Sequence, residues 1–369
     1  MAQMVNPTPE FWRGKRVLVT GHTGFKGAWL CMWLERLGAL PFGLALPPET
    51  QPSLAKEIAV DRRFNCATAD IRDLGAVRSV MERVQPDIVL HLAAQALVRR
   101  SYREPVETFA ANLMGTVNVL EAATRCGGVA ATLIVTTDKC YENREWVWPY
   151  RETDALGGYD PYSASKACAE IATSAWRQSQ KSLAGAQGRA TPMAIASARA
   201  GNVIGGGDWS QDRLIPDCIR AMSEGRPIVI RSPGSTRPWQ HVLEPICGYL
   251  VLAERLLDKS GLSVEEAWNF GPPIDDVAPV SWIVERVTGL WGNGARWETT
   301  GEVQPHEAML LAVDAAKART RLGWAPRLPL AEALRWTVDW YKMYQDGRAA
   351  DSLMVDQIHA FESIEMEFK

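Results

Sequence analysis

Tyr162 and Lys166, in the run Tyr162-Ser-Ala-Ser-Lys166, stand one helical turn apart and so share a helix face. A phenol titrates near pH 10, and lowering that towards 7 takes about 4 kcal/mol of preferential phenolate stabilisation, for which a neighbouring ammonium has the right sign. Taken alone, the spacing is common on surface helices. About 25 residues upstream, however, Ala131-Thr-Leu-Ile-Val-Thr-Thr137 reads as a strand running into Asp138-Lys139. A hydroxyl, a carboxylate and an amine at one strand tip, beside a phenol and a second amine, are the parts of a proton-transfer site.

A second group is suited to phosphate. Gly21-His-Thr-Gly24-Phe-Lys-Gly27 follows the apolar run Arg16-Val-Leu-Val-Thr20 and opens a helical pattern. Glycines there let backbone approach a pyrophosphate, whose charge meets free N–H groups at the helix N-terminus. The alternative is a tight strand-to-helix turn with no ligand. Further on, Arg231 and Arg237 bracket Ser-Pro-Gly-Ser-Thr, and an Arg fork binds phosphate oxygens bidentately.

These groups need a scaffold, and the first half of the chain supplies one. Strands are expected at 16–20, 41–46, in a run ending near Asp70, and at 87–94, 131–137 and 193–198. Helices fall between them, the first with Phe25, Ala28, Trp29, Met32 and Trp33 on one face and Gly38 as its stop, another over 106–125. A polar linker is expected at about 180–191. Such alternation predicts right-handed crossovers and an α/β, doubly wound parallel sheet. After residue 205 the chain becomes richer in proline. The expected division is a dinucleotide-binding domain over 1–205, joined by 241–272, with 206–369 mainly a smaller substrate-binding part. Ile228-Val-Ile230 and Trp268-Asn-Phe270 are candidates to return to the first sheet.

The G-x-x-G-x-x-G spacing, the set Thr137, Tyr162 and Lys166, and the segment Arg199-Ala-Gly-Asn202-Val-Ile-Gly205 together resemble the extended short-chain dehydrogenase/reductase family. The resemblance runs over nearly the whole chain. It implies a Rossmann sheet with a smaller C-terminal α/β domain for a nucleotide sugar. It also implies an NAD cofactor against Gly21, Thr23, Gly24, Phe25, Lys26, Gly27, Asp70, Ile71, Leu92, Ala93 and Ala94, reaching Tyr162 and Lys166. Thr137, Tyr162 and Lys166 match the family's hydride-transfer triad. No acid stands at the tip of the second strand for the ribose, Glu49 being farther along the loop, so cofactor retention is expected to be weak. No Arg lies nearby in sequence for a 2′-phosphate, which favours NAD over NADP.

Nucleotide-sugar 4,6-dehydratases of this family carry Thr-Asp-Glu where this chain has Thr137-Asp138-Lys139. The Lys resembles the cytidine diphosphate glucose branch, as does Arg237-Pro-Trp-Gln-His-Val242. The implied roles are protonation of the leaving C6 hydroxyl by Asp138 and either deprotonation of C5 or stabilisation of the enolate by Lys139. On the substrate side they are a pyrophosphate contact from Asn202, phosphate contacts from Arg237 and Arg231, a pocket wall or base stack from Trp239, and a contact from Asn269. Arg213, His306 and Glu307 stand in family-like segments without an assigned role. A 4-epimerase would need only the triad, and a noncatalytic dinucleotide-sensing scaffold would need none of it. The helix over 106–125 and the one bearing Tyr162 match the helices that form the dimer interface across this family, so the resemblance implies a homodimer or a dimer-based tetramer.

Composition narrows the remainder. With 40 Lys plus Arg against 43 Asp plus Glu in 369 residues, the net charge of −3 provides no global field for nucleic acid or an anionic membrane. No apolar stretch approaches a spanning length, and the first twelve residues hold two prolines and no apolar run, so neither a signal peptide nor an anchor is expected. Seven scattered Cys without close pairs point to reduced thiols, a cytoplasmic protein and no zinc site. Fifteen Trp against eight Tyr and eight Phe is unusual. Trp29 and Trp33 are expected in the core, Trp239 in the pocket, and the other twelve in packing.

Overall fold

The computed structural model describes residues 5–187, 192–258, 263–300 and 309–364. Its centre is a seven-stranded, all-parallel sheet of β1 (Arg16–Thr20), β2 (Leu40–Ala45), β3 (Asn65–Thr68), β4 (Ile88–His91), β5 (Ala131–Val135), β6 (Ala194–Arg199) and β7 (Ala267–Asn269). Their spatial order is β7-β6-β5-β4-β1-β2-β3. The chain moves outward from β1 through β2 to β3, then crosses back to β4. That leaves a topological switch between β1 and β4, where doubly wound sheets open a crevice at the strands' C-terminal ends. Val17 to Thr20 and all of β4 and β5 are buried, as a sheet covered on both faces requires.

The helices that position the site are α1 (Phe25–Arg36), α2 (Leu74–Val84), α3 (Gly115–Cys126), α4 (Pro161–Gln187) and α5 (Leu243–Leu257). Gly24 is the N-cap of α1, and Gly38 follows its end at positive φ. α5 is apolar nearly all round and packs on β5, β6 and α1. The expected linker at 180–191 is instead largely the end of α4, which runs to Gln187 because Ser and Gln there do not interrupt the helical pattern.

Trp268-Asn-Phe270 does return to the sheet, with Ala267–Asn269 pairing beside β6. Ile228–Ile230 does not. It pairs in parallel with Trp297–Thr299 in a separate two-stranded ribbon, since β7 already occupies the sheet edge beside β6. Trp29 and Trp33 are fully buried under the C-terminal helices Leu330–Gln345 and Ala350–Glu362, their indole N–H groups donating to the Gly206 carbonyl at 3.0 Å and to Glu362 at 2.9 Å. Trp12, Trp268, Trp324 and Trp340 are equally buried. Trp148, in contrast, is two-thirds exposed, outside the packing role expected of it. His306 and Glu307 lie outside the described residues.

Candidate active site

A cavity of about 860 Å³ opens at the switch point. One end is formed by the loop between β1 and α1. Gly21 has φ +78°, and a Cβ there would lie 2.7 Å from the Ala93 nitrogen, while one on Gly27 would lie 2.2 Å from the Gly21 carbonyl oxygen. Backbone therefore fills the space side chains would take, and Gly24, Phe25, Lys26 and Gly27 line the cavity where α1 leaves its first N–H groups unpaired within the helix. α1 has no acid in its first turn. Thr23 fixes the loop by donating to the Leu46 carbonyl at 2.9 Å, and Thr20 accepts from the Leu92 and Ala93 N–H groups at 3.2 Å. A dinucleotide pyrophosphate fits this cradle.

Asp70 and Ile71 line the wall after β3, and Leu92, Ala93 and Ala94 the wall after β4. Asn118 of α3 donates to the Ile71 and Arg72 carbonyls, and Gly115 gives Ile71 room, since a Cβ there would lie 2.5 Å from its Cδ1. Just before α3, residues 110–114 form a π-helical turn. This widened turn lets Asn112 accept from the Gln95 N–H at 2.8 Å and donate to Ser165 at 2.9 Å, tying the β4 loop to the helix that carries Tyr162 and Lys166.

At the cavity floor β5 ends and Thr137 caps a single turn, accepting from the Lys139 N–H at 3.3 Å and donating to Asp138 at 3.0 Å. Asp138 is 1% exposed and its second oxygen, Oδ2, has no hydrogen-bond partner. The carboxyl packs onto bare backbone: a Cβ on Gly201 would lie 1.8 Å from that oxygen. Burial raises the Asp138 pKa against the opposing pull of Lys139, Thr137, Arg237 and Lys26, which favours an acid able to donate a proton. Lys139 lines the same floor.

Tyr162 and Lys166 both reach the cavity and are both buried. Burial holds the Tyr162 pKa up at about 12, opposed by hydrogen bonding with Thr137 and by the charge of Arg213. Lys166 is not among the groups that set this value: its ammonium donates to the Val135 carbonyl at 3.3 Å, and burial takes its own pKa down to about 8. One turn beyond, Glu170 accepts from Thr136, from Ser197 at 2.7 Å and from Arg199 at 2.9 Å, joining α4 to the ends of β5 and β6.

The far end is lined by Asn202, Arg231, Arg237 and Trp239. Asn202 sits at φ +43° with its side-chain oxygen unpartnered, and the Trp239 indole N–H is likewise unpartnered. Arg237 is buried and donates to the Thr236 carbonyl at 2.8 Å, and Arg231 pairs with Asp212 at 2.9 Å.

Comparison with known proteins agrees with this geometry. The GDP-mannose 4,6 dehydratase family model matches residues 18–337. The chain belongs to that family. Among its relatives, the chain is 49% identical to a CDP-glucose 4,6-dehydratase of Salmonella typhimurium over 91% of this chain and 93% of that one. It is 29% identical to a dTDP-glucose 4,6-dehydratase of Streptomyces griseus over 89% and 94%. The fold matches a solved dTDP-glucose 4,6-dehydratase of Streptomyces venezuelae with NAD bound, with TM-score 0.75 and 23% identity over 90% of this chain and 98% of that one. It also matches a UDP-glucose 4-epimerase of Thermotoga maritima, with TM-score 0.76 and 22% identity over 89% and 99%.

For this member of the GDP-mannose 4,6 dehydratase family, one expected site residue lies elsewhere. Asn269 is fully buried outside the cavity, with its oxygen accepting from Tyr141 at 2.6 Å and its amide donating to the Tyr150 and Asp314 carbonyls. Its polar groups are spent on joining β7 to neighbouring loops. The arginines that looked remote in sequence are also nearer than expected. Arg72 and Arg100 line the cavity near Glu49, Arg72 donating to Asp70 at 2.9 Å and meeting Glu107, and Arg100 pairing with Glu49 at 2.9 Å and Glu104 at 2.7 Å. Sequence reasoning also left Arg213 and Asp208 without a role. They pair at 2.9 Å on the cavity wall, and the sequence signals were the family-like segment around Arg213 and the glycine run at 205–207 that precedes both.

Proposed function

We propose that this protein is a CDP-glucose 4,6-dehydratase that converts CDP-glucose to CDP-4-keto-6-deoxy-glucose and water. The observation that carries the reading is the floor of the cavity. A buried carboxyl with a free oxygen, Asp138, and an amine, Lys139, stand beside Tyr162 and Lys166, at one end of a wall that begins at a glycine cradle. An epimerase at C4 has no use for the Asp138–Lys139 pair. The relative in Salmonella typhimurium adds the choice of nucleotide.

Gly21 to Gly27, Asp70, Ile71 and Leu92 to Ala94 would hold NAD, which would supply hydride acceptance at C4 and hydride donation at C6. Tyr162, as the phenolate that Lys166 and the positive charge of a bound nicotinamide would favour, would take the C4 hydroxyl proton. The resulting ketone acidifies C5–H, and Lys139 removes that proton or steadies the enolate while Asp138 protonates the departing C6 hydroxyl. Asn202, Arg231 and Arg237 hold the pyrophosphate and Trp239 borders the base or sugar. The four carboxylates around Arg72 and Arg100 offset the charge that a 2′-phosphate would need, which supports NAD over NADP.

Turnover in deuterium oxide with CDP-, dTDP-, UDP- and GDP-glucose, with and without NAD, tests this. The expected result is a keto product from CDP-glucose with solvent deuterium at C5, where an epimerase leaves C5–H untouched. No keto product from CDP-glucose with NAD added would overturn the reading.

The same proposal extends to a cytoplasmic homodimer or dimer-based tetramer with a cofactor domain of 1–205 plus 241–272. Val106, Met114 and Ile171 are exposed on the helices that would meet, all seven Cys are free, and no helix of the described residues is long and apolar enough to cross a membrane. Light scattering on the purified chain checks the assembly.

A further inference from the structure

Behind the glycine cradle, and outside the cavity, three ligand-type side chains from three elements converge. His22 belongs to the loop after β1, Asp61 to the one-turn helix Val60–Arg63, and Cys66 to β3. A ring nitrogen, a carboxylate oxygen and the Sγ atom all lie within 4.8 Å of one another. None of the three residues lines the cavity, so the catalytic reading leaves them unexplained.

His22 is the second observation. It is 2% exposed, and neither ring nitrogen has a hydrogen-bond partner. Buried imidazoles are ordinarily bonded through at least one nitrogen. The Leu44 carbonyl, which accepts from the Gly21 N–H at 2.8 Å, lies close enough to oppose the lowering of the ring's pKa but outside hydrogen-bond geometry. The ring is also held in a made place. It lies on Gly43, where a Cβ would come within 2.4 Å of its Cγ, and Gly43 is the register partner of Cys66. The thiol's contact with the Val60 carbonyl is long, at 3.8 Å. Burial lowers the His22 pKa and so keeps the ring in its neutral, ligating form, while Asp61 faces it from the exposed side.

We propose that His22, Cys66 and Asp61 bind one divalent transition ion of the Zn²⁺ or Co²⁺ class, with a fourth position open towards solvent. One nitrogen, one sulfur and one oxygen suit a borderline-soft tetrahedral ion. Bond lengths of about 2.0 Å to nitrogen and 2.3 Å to sulfur set those two atoms roughly 3.5 Å apart around a tetrahedral ion. The Cys66 thiol proton leaves to solvent as the thiolate bonds to the ion. Such an ion would tie the glycine loop to β3 and the 60–63 helix. The absence of close Cys pairs does not bear on this site, which takes a single Cys and is assembled across the fold.

The test is titration of the chelator-treated protein with Co²⁺, followed by Zn²⁺. The expected result is one Co²⁺ per chain with a sulfur-to-cobalt charge-transfer band that Zn²⁺ removes, and a higher unfolding temperature with Zn²⁺. Cys66→Ser should abolish the band, His22→Gln should weaken Co²⁺ binding at least tenfold, and Cys126→Ser should change neither. Because substitution at buried His22 or half-buried Cys66 could unfold the chain, circular dichroism accompanies each. Asp61→Asn, at an exposed position, should keep the band and weaken binding severalfold. Failure to bind Co²⁺, a band that persists in folded Cys66→Ser, or an Asp61→Asn protein of unchanged affinity would each overturn the proposal.

Discussion

The two ends of the cavity are built in different materials. At the cofactor end the shape is set by backbone: Gly21 and Gly27 have no space for a Cβ, and Thr23 and Thr20 fasten neighbouring main-chain groups. At the substrate end the shape is set by side chains that balance one another: Arg213 against Asp208, Arg231 against Asp212, and Arg237 against the Thr236 carbonyl. A backbone site tolerates little change at a few positions, whereas a side-chain network spreads its tolerance over many. The floor between them, from Thr137 to Lys139 with Tyr162 and Lys166, belongs to neither kind. It puts reactive side chains on rigid element ends.

The largest effect should therefore arise at the floor. Tyr162→Phe removes the hydroxyl proposed to take the C4 proton, and general base catalysis is worth about 10²–10⁴-fold. The expected outcome is a fall in kcat of at least about 10³-fold with CDP-glucose, at unchanged circular dichroism. An active Tyr162→Phe protein would place the base elsewhere on the floor. Asp138→Asn should cost about 10²-fold in product formation while leaving C4 oxidation. Rapid mixing should then show a reduced nicotinamide signal that rises without product, separating oxidation from elimination.

The same contrast explains what could be read from sequence. Gly21, Gly24 and Gly27 declare themselves because a backbone cradle constrains residue type at fixed spacing, and β1, β4 and β5 because burial on both faces demands apolar runs. Tyr162 and Lys166 are local to one helix. Arg72 and Arg100 gave no signal, since each faces the cavity across a distance that only the fold closes. Asn269 misled for the related reason that one Asn can serve a ligand or the interior, and its partners Tyr141, Tyr150 and Asp314 are more than forty residues away. Ile228–Ile230 looks like a sheet strand by composition, but composition does not choose a partner, and Trp297–Thr299 took it. The π-helical turn at 110–114 has no pattern in its residues that distinguishes it from ordinary helix.

Arg237→Ala sharpens the difference between the ends. Its guanidinium is buried on the cavity wall, and a charged hydrogen bond to phosphate is worth about 1.5–3 kcal/mol. KM for CDP-glucose should rise by at least about tenfold, with NAD affinity unchanged in calorimetry. If both affinities fall together, the two ends are not independent.

The smallest effect probes the one side chain that reaches from the cradle to the floor. Lys26 stands in the first turn of α1, and its ammonium donates to the Tyr249 hydroxyl at 3.4 Å. Burial, with repulsion from Arg213 and Lys166 and against attraction by Asp138, lowers its pKa to about 7. The unfolded chain, titrating near 10.5, therefore holds more protons than the native one between about pH 7 and 10.5. The Lys26 penalty to stability is thus full below pH 7 and fades as pH rises through that window. Ligand binding carries the opposite sign. A pyrophosphate at the cradle favours the ammonium, so NAD binding above pH 7 must take up a proton and should weaken severalfold from pH 7 to 9. Calorimetry in two buffers of different ionisation enthalpy should show that uptake, and Lys26→Met should abolish both the uptake and the pH slope. A slope that survives in Lys26→Met would assign the titration to Lys166, whose pKa of about 8 lies in the same range, and would move the coupling from the cradle to the floor.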